Sequence, residues 1–175
     1  MNLIAVASLE EIDRAELNRC LVAWRHAMGP CVRPTAGWSH GLRADGRLVA
    51  VLASDTLIRA KVAGLSRDKA IELSRLCAER PELCRVVLRL WREFVFRPLA
   101  QSQGLTWALS YQDERLHNGD TYRFDGWVRL ARSRSGTDRR SGRRGRNKTV
   151  WGWTANSLLL AACRADASIA ARSPG

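Results

Sequence analysis

The sequence predicts an α/β fold of the α+β kind, with a mixed central sheet and helices on both faces. Of the 175 residues, 46% are apolar, which is enough for one substantial core. Short strand-like runs alternate with longer stretches in which apolar residues recur every three or four positions. Gly and Pro stand at most of the boundaries between these runs, as is typical of turns between strands and helices.

The first predicted elements are a strand over residues 2–7 and a helix after it. Ser8, with Glu11 three residues later, has the spacing of a helix-capping box. We expect the helix to run to about Ala27, where Gly and Pro at 29–30 end it. The residues expected on its buried face are Ile12, Leu17, Cys20, Leu21 and Trp24.

A β-hairpin is predicted next. Asp45-Gly46 is a strong turn signal, and the runs at 41–43 and 48–53 flank it. Because residues 48–53 are apolar throughout, we expect them to form a central strand. Apolar residues recur with no clear period over residues 55–68, which predicts an irregular connection.

A strand, a helix and a second strand are predicted over residues 69–77, 83–101 and 105–111. Pro81 suits the first turn of this helix, and Gly104 suits the left-handed position after its end. The apolar stripe expected to face the sheet comprises Leu83, Val86, Val87, Leu90, Phe94 and Val95.

Polar residues stand at the ends of these two strands. Arg75 follows one apolar run, and Ser110, Tyr111 and Asp113 follow the other. A crossover through a helix makes the strands parallel, so these groups should meet at their C-terminal edge, where α/β sheets usually hold their sites. Arg75 is expected either to bind a carboxylate or phosphate or to form a surface ion pair, and Asp113 either to act on a substrate or to stabilise a turn.

A short helix over 118–127 and strands over 126–130 and 149–153 complete a predicted domain, residues 1–154. The Ala-rich tail, 155–175, is expected to form a loose helix or to be frayed.

The charge of the chain favours a polyanionic partner. Lys and Arg total 29 against 17 Asp and Glu, which gives a net charge of +12. Nucleic acid is the first candidate, since no apolar run is long enough to span a membrane. A basic insertion over residues 132–148 is predicted to bind phosphates, with a solvated loop as the other interpretation. Its candidate DNA-binding residues are Arg139, Arg140, Arg143, Arg144, Arg146 and Lys148.

The cysteines and histidines give no clear metal signal. The five cysteines lack a C-x-x-C spacing, so we expect small apolar residues in a cytoplasmic protein rather than a zinc ribbon. The N-terminus has no basic leader, so no secretory signal is expected. His26, His40 and His117, with Asp113, have the ligand chemistry of an iron or zinc site, but no local spacing supports one, and no metal is predicted.

The order of the predicted elements is that of the GNAT acyltransferase fold. Moreover, ELSRL at 72–76, SYQD at 110–113 and HNG at 117–119, which leads to Tyr122 and Trp127, resemble the Mom family of phage DNA-modification proteins. That family is related to the GNAT acyltransferases. The resemblance implies transfer of an acetamido (carbamoylmethyl) or related acyl-derived group to adenine N6 in double-stranded DNA, which protects the DNA from restriction.

The resemblance spans roughly residues 26–153 and implies a role for the motif residues. It implies catalytic roles for Ser110, Asp113 and Tyr122, and substrate-binding roles for Arg75, His117 and Trp127. In this scheme Asp113 orients or deprotonates the exocyclic amine, and Tyr122 protonates a leaving thiolate. The other interpretation of Tyr122 is a structural tyrosine whose hydroxyl is hydrogen-bonded inside the protein. The other interpretation of Trp127 is a tryptophan packed in the core.

The resemblance also implies acetyl-CoA as the donor. GNAT enzymes hold its diphosphate on a Gly-rich turn between a strand and a helix N-terminus. The matching residues here, AERPE at 78–82, contain no glycine and two acids. A further departure is Arg123-Phe124, which stands where the family usually has Gln-Ala.

Two other functions remain open from the sequence. One is a GNAT N-acyltransferase that acts on a small amine or a protein lysine, and the other is a non-catalytic nucleic-acid-binding domain. The oligomeric state is also open, a homodimer included.

Overall fold

The computed structural model describes residues 7–35, 37–133 and 147–172. Its strands are β1 (Ala7–Glu11), β2 (Gly37–Ala44), β3 (Arg47–Thr56), β4 (Lys61–Val62), β5 (Leu65–Ser66), β6 (Ala70–Ala78), β7 (Trp107–Asp113), β8 (Val128–Ser133) and β9 (Lys148–Trp153). Its helices are α1 (Arg14–Ala23), α2 (Glu82–Trp91), α3 (Arg97–Gln103), α4 (Asp120–Phe124) and α5 (Ser157–Arg172), and a π-helical turn (Arg92–Phe96) joins α2 to α3.

The sheet is mixed and has helices on both faces, as predicted. Seven strands lie in the order β1-β2-β3-β6-β7-β9-β8, in which β6 and β7 are parallel and the other neighbours antiparallel. Along β3 successive residues face opposite sides. Val51 and Ala53 pack in one cluster with α1, whereas Ala50 and Leu52 pack in another with α2. No helix in the described part of the chain is long and apolar enough to span a membrane.

The predicted hairpin is confirmed and is longer than predicted. β2 and β3 pair antiparallel around Asp45 and Gly46, whose φ angles of 49° and 78° are the left-handed pair that a tight two-residue turn requires. β3 lies between β2 and β6 and is buried along most of its length. β4 and β5 form a separate small hairpin within the segment predicted to be irregular.

The prediction for the first helix was wrong about where it begins. Ser8 does not cap a helix, because it lies in β1 and pairs with Arg43 of β2. The cap is Asp13, whose carboxylate accepts the Glu16 N–H at 2.6 Å. The helix also ends before Ala27, since Arg25 adopts a left-handed φ of 53° directly after it. Residues 2–6 of the predicted first strand lie outside the described residues.

The buried face of the long helix differs from the predicted stripe. Val87 is buried as predicted, but Val86 and Phe94 are 46% and 70% exposed, and Trp91 and Phe96 are fully buried instead. The π-helical turn explains the difference at Phe94 and Phe96, because its wider spiral places residues five apart on one face. The rings of Trp91 and Phe96 accordingly lie 5.7 Å apart. Val86 lies before this turn in α2, whose regular spacing buries Val87, Leu88 and Trp91. Gly104, with a φ of 66°, ends α3 in the predicted left-handed conformation.

The basic insertion connects two antiparallel strands, as predicted. β8 and β9 pair from Val128–Gly152 to Ser133–Lys148. Of the candidate DNA-binding residues, Arg139, Arg140, Arg143, Arg144 and Arg146 lie outside the described residues, and Lys148 is the first residue of β9.

Candidate active site at the divergence of two parallel strands

A wedge opens in the sheet between β6 and β7. The two strands pair from Ala70–Trp107 to Leu73–Ser110 and then separate, although β6 continues to Ala78 and β7 to Asp113. Beyond the last pair, β6 bonds only with β3 and β7 only with β9 among the described strands. The wedge therefore leaves strand edges without a strand partner, among the described residues, at the C-terminal end of the parallel pair, the place predicted for the site.

A β-bulge in β6 sets the direction of Arg75. Ala53 lies opposite Arg75 and Ser54 opposite Leu73, so Ser74 is an extra residue without a partner across the pair. This extra residue reverses the alternation of side chains along β6. Leu73 packs with α2, whereas Arg75 reaches the segment between α1 and β2 on the other face.

Arg75 holds this segment against the sheet. Its guanidinium donates to the carbonyl oxygens of Gly29 (3.3 Å), Pro30 (3.2 Å) and Ser74 (2.8 Å), and the residue is 8% exposed. No carboxylate of the described residues forms an ion pair with it. The surface ion pair that was the other interpretation of Arg75 is therefore absent among the described residues. A role in substrate binding stays a prediction.

Ser110 and Tyr122 form a hydrogen-bonded pair at the neck of the wedge, where β6 and β7 make their last pair. The Ser110 hydroxyl donates to the Leu73 carbonyl at 3.2 Å, and its oxygen lies 2.8 Å from the Tyr122 hydroxyl. Because Ser110 has one proton and gives it to Leu73, Tyr122 is the donor in the pair. Burial raises the pKa of Tyr122, and the hydrogen bond with Ser110 opposes this effect. The phenol is therefore protonated at neutral pH.

Two tryptophans fix the Tyr122 ring. Trp151 stacks on it at 5.7 Å and Trp127 meets it edge-on at 5.5 Å. Both tryptophans are buried, at 3% exposure each. Trp127 donates its Nε1–H to Asp125 at 3.1 Å. Trp127 and Trp151 thus pack in the core in this structure, where they support the tyrosine rather than line an open face.

Gln112 binds the turn that contains the HNG motif. Its amide nitrogen donates to the His117 carbonyl, and its amide oxygen accepts the Trp151 Nε1–H at 2.7 Å. Gly119 has a φ of 83° and lies so close that a Cβ there would stand 2.6 Å from the Gln112 oxygen. The motif therefore holds the turn before α4, and with it Tyr122, against β7. No role for Gln112 was predictable from the sequence, because its partner Trp151 is distant along the chain.

His26 lies near Arg75 and His117 on the face of the sheet that carries α1. Burial, followed by the charges of Arg75 and His117, lowers the pKa of His26 to about 4. His40 belongs to β2 instead, where burial also lowers its pKa. Within residues 7–35, 37–133 and 147–172, no three His, Cys, Asp or Glu side chains are arranged to hold a metal ion.

The lowered pKa of His26 predicts a pH-dependent stability. Its ordinary value is 6.5, so between pH 6.5 and about 4 the unfolded chain binds a proton that the folded chain does not. The free energy of unfolding should therefore fall as the pH drops through this window. Because the ring is partly exposed, we expect a contribution on the order of 1 kcal/mol. Denaturant titrations at pH 7 and pH 4.5 should show a smaller pH dependence for His26→Gln, and an unchanged dependence would contradict the prediction.

A buried polar cluster that the sequence did not predict lies behind the Arg75 side of the wedge. Asp55, with no side-chain exposure, accepts hydrogen bonds from Arg14 at 3.0 Å and from the Ser74 hydroxyl. Arg14 also donates to the Cys31 sulfur at 2.9 Å. Nearby, Arg33 forms a bidentate ion pair with the Glu72 carboxylate. These contacts tie the segment between α1 and β2 to β3 and β6, so they fix one wall of the wedge.

Asp113 lies at the mouth of the wedge, at the end of β7. Its carboxylate accepts the Arg115 N–H at 3.0 Å, the bond expected of a turn residue, and its backbone pairs with Lys148 of β9. His117 is exposed in the turn that follows. The structure thus brings Arg75, Ser110, Asp113, His117 and Tyr122 to one edge of the sheet. Their catalytic and binding roles stay predictions.

Comparison with solved structures shows that the chain has the GNAT fold. A probable acetyltransferase of the GNAT family from Chromobacterium violaceum superposes with a TM-score of 0.56 at 14% identity, over 87% of this chain and 90% of that one. A spermidine N-acetyltransferase variant from Vibrio cholerae gives 0.60 at 13%, over 87% and 96%. An acetyltransferase from Bacillus subtilis in complex with coenzyme A gives 0.53 at 11%, over 86% and 99%. No protein-family model and no curated protein sequence matches the chain.

Proposed function

We propose that the chain is a GNAT-fold transferase that moves a small acyl-derived group, such as an acetamido (carbamoylmethyl) group, to N6 of adenine in double-stranded DNA. The observation that supports a DNA acceptor is where the basic insertion is attached. Its described ends, Ser133 and Lys148, pair with each other, and Lys148 pairs with Asp113 at the mouth of the wedge. The insertion therefore leaves and re-enters the sheet beside the candidate site.

The charge of this insertion suits a DNA backbone. Between its two ends the sequence carries six Arg and one Asp. Arginine binds DNA phosphates whatever the base sequence, and this binding releases counterions from the DNA. The insertion would therefore hold a duplex next to the site without selecting the base. An adenine in a duplex must then leave the stack to reach the wedge, as in other enzymes that act on bases.

The reaction requires a group that accepts a proton from adenine N6, which is a weak nucleophile. The N6 lone pair of adenine is delocalised into the ring, so the amine must be oriented and must lose a proton as it reacts. Asp113, at the mouth, is our candidate for accepting this proton as the new bond to N6 forms. As the C–S bond of a thioester donor breaks, the protonated Tyr122 hydroxyl at the neck is the candidate donor of a proton to the leaving thiolate. Three contacts keep Tyr122 in place, the hydrogen bond with Ser110 and the ring contacts with Trp127 and Trp151.

We would test the proposal by mass spectrometry of nucleosides from plasmid DNA grown with the protein. We expect a deoxyadenosine of raised mass that is lost with Asp113→Ala and strongly reduced with Tyr122→Phe. Asp68→Ala is the control, since the Asp68 side chain is 71% exposed and belongs to no part of the candidate site. It should leave the modification intact. An unmodified nucleoside profile with folded protein would refute DNA modification.

A second candidate is an N-acyltransferase that acts on a small amine or a protein lysine. The resemblance to a spermidine N-acetyltransferase favours it. A chain with a net charge of +12 repels a cationic polyamine, however, and this argues for the anionic acceptor. Turnover of small amines that is indifferent to added DNA would favour this alternative. If Asp113→Ala and Tyr122→Phe bind DNA normally and neither they nor the parent protein yields any product, the chain is a binding domain without catalysis.

A further inference from the structure

An adenine that leaves the duplex needs a flat side chain on which to stack, and the tryptophans beside Tyr122 do not offer one. Trp127 and Trp151 are each 3% exposed and pack in the core. Tyr111 is the other tyrosine of the chain, and it is only half-buried. It lies in β7, two residues before Asp113 at the mouth of the wedge.

Tyr111 and Asp113 lie on the same face of the sheet. Successive residues of a strand face opposite sides. Ser110 bonds Tyr122 on the face that carries α2, so Tyr111 and Asp113 project from the face that carries α1. Two residues along a strand advance about 6.7 Å, a span that a purine ring can bridge. A base stacked on Tyr111 can therefore present its exocyclic amine to Asp113.

The residues that precede Tyr111 on this face are covered. Trp107 and Leu109 pack with Leu57 and with the small hairpin that β4 and β5 form, at residues 61–66. Trp107 is 6% exposed and Leu109 is fully buried. Among the described residues, Tyr111 is not part of this cluster, so its ring lies at the rim where the cover ends. The strand thus changes from enclosed apolar side chains to an accessible aromatic ring directly beside the candidate base.

Positive charge lies around the Tyr111 ring and suits the phosphates next to an extruded base. The Lys148 ammonium stands 5.8 Å from the ring centre, near the outer limit of a cation–π contact. Burial, followed by the charge of Glu72, raises the pKa of Tyr111. The charges of Arg59 and Arg33 oppose this rise, so both guanidinium groups are within electrostatic reach of the ring. A phosphate at Lys148 would also continue into the basic insertion, which re-enters the sheet at this residue.

We propose that the extruded adenine stacks on the Tyr111 ring with N6 toward Asp113, and that Lys148 binds a phosphate beside it. The inference rests on the proposed function and specifies how its acceptor base is held. Stacking uses the aromatic ring and not the hydroxyl. Since every base has a π-face, Tyr111 would hold the base without selecting adenine.

The test is a binding measurement that does not depend on the transfer reaction. Two single-stranded DNA hexamers with the same dye are titrated with the full chain by fluorescence anisotropy, one wholly abasic and one with a single central adenine. The abasic backbone leaves no competing base, and a single strand removes the cost of extrusion. We expect the adenine hexamer to bind about 5- to 150-fold more tightly, the range for one base stacked on an aromatic side chain. Equal affinities would overturn the inference, whereas the nucleoside assay would still report on DNA modification separately.

Two variants at Tyr111 separate the ring from its hydroxyl. Tyr111→Phe should keep the preference for the adenine hexamer, whereas Tyr111→Leu should bind the two hexamers within about twofold of each other. Phe124→Leu is the matched control, because Phe124 is also an accessible ring, 58% exposed, with the Arg123 guanidinium 4.8 Å from its centre. It should keep the preference. A folded Tyr111→Leu protein that keeps the preference, or a Phe124→Leu protein that loses it, would overturn the inference.

The phosphate contact has a test that leaves the ring unchanged, so together with the parent preference it serves even if Tyr111→Leu fails to fold. Lys148→Gln should weaken the binding of both hexamers equally. It should also reduce the slope of log affinity against log salt by about 0.7, the value for one phosphate contact in a single strand. Arg85→Gln, at an exposed position of α2 across the sheet, is the control and should leave the slope unchanged. The same slope for Lys148→Gln as for the parent would contradict the proposal.

Discussion

Replacement of Asp125 by alanine is expected to lower the free energy of unfolding by about 3 kcal/mol, because it removes a fully buried carboxylate and leaves the mostly buried Arg92 with Glu93 as its one ion-pair partner among the described residues. The carboxylate is fully buried and lies 3.1 Å from Arg89 and 3.3 Å from Arg92. The Arg92 side chain is only 12% exposed and lies over the Trp153 ring at 4.6 Å, so it cannot easily turn to solvent. The Trp127 Nε1–H would lose its acceptor as well.

The matched control is Asp120→Ala at the start of α4, the short helix that ends at the residue before Asp125. Asp120 also pairs with an arginine, Arg123, but the two side chains are 38% and 61% exposed. Such a pair contributes about 0–1 kcal/mol. Urea titrations of the two variants should therefore differ clearly in midpoint. Equal midpoints would mean that Asp125 is not the buried anchor that the contacts describe.

Gly119→Ala is expected to be the second large effect, with a loss of about 2–4 kcal/mol in stability and a loss of activity through Tyr122. A left-handed alanine costs about 1–2 kcal/mol by itself. The new Cβ would also stand 2.6 Å from the Gln112 amide oxygen and 2.7 Å from the Trp151 ring. Neither group can yield cheaply, since Gln112 is 5% exposed and is bonded to both Trp151 and His117.

Gly104→Ala separates the two contributions. Gly104 has a similar φ of 66°, but a Cβ there would meet nothing within 4 Å. We expect this variant to lose only the backbone part, about 1–2 kcal/mol, and to retain activity because α3 does not carry a candidate site residue. The measurement is thermal and urea unfolding of both variants beside the nucleoside assay. A Gly119→Ala protein as stable and active as Gly104→Ala would refute the packing argument.

The sequence predicted the part of the site that depends on strand order. An apolar strand, a helix and a second apolar strand favour a parallel pair, and this alone brought Arg75 and Ser110 to the same edge of the sheet. The Asp45-Gly46 turn and the Gly104 helix end were predictable for a similar reason, since the left-handed conformation favours particular residues.

The tertiary structure decided where those side chains point and what supports them. The bulge at Ser74 and the π-helical turn each shift a local period by one residue, and neither leaves a signal in the spacing of apolar residues. The predicted helix stripe was therefore wrong at Phe94. At Val86 it was wrong for another reason, since the regular helix α2 turns Val87, Leu88 and Trp91 to the core.

The supporting residues escaped the sequence analysis because their partners are distant along the chain. Gln112 bonds Trp151, Asp125 bonds Arg92, and Asp55 bonds Arg14. A buried polar group is stable only when such a partner is present, and which partner it finds is set by the packing of whole elements. The sequence by itself thus determined the order of the main elements along the chain and the residue types at the strand ends. Only the folded chain determined which of these residues face the wedge and which hold its walls.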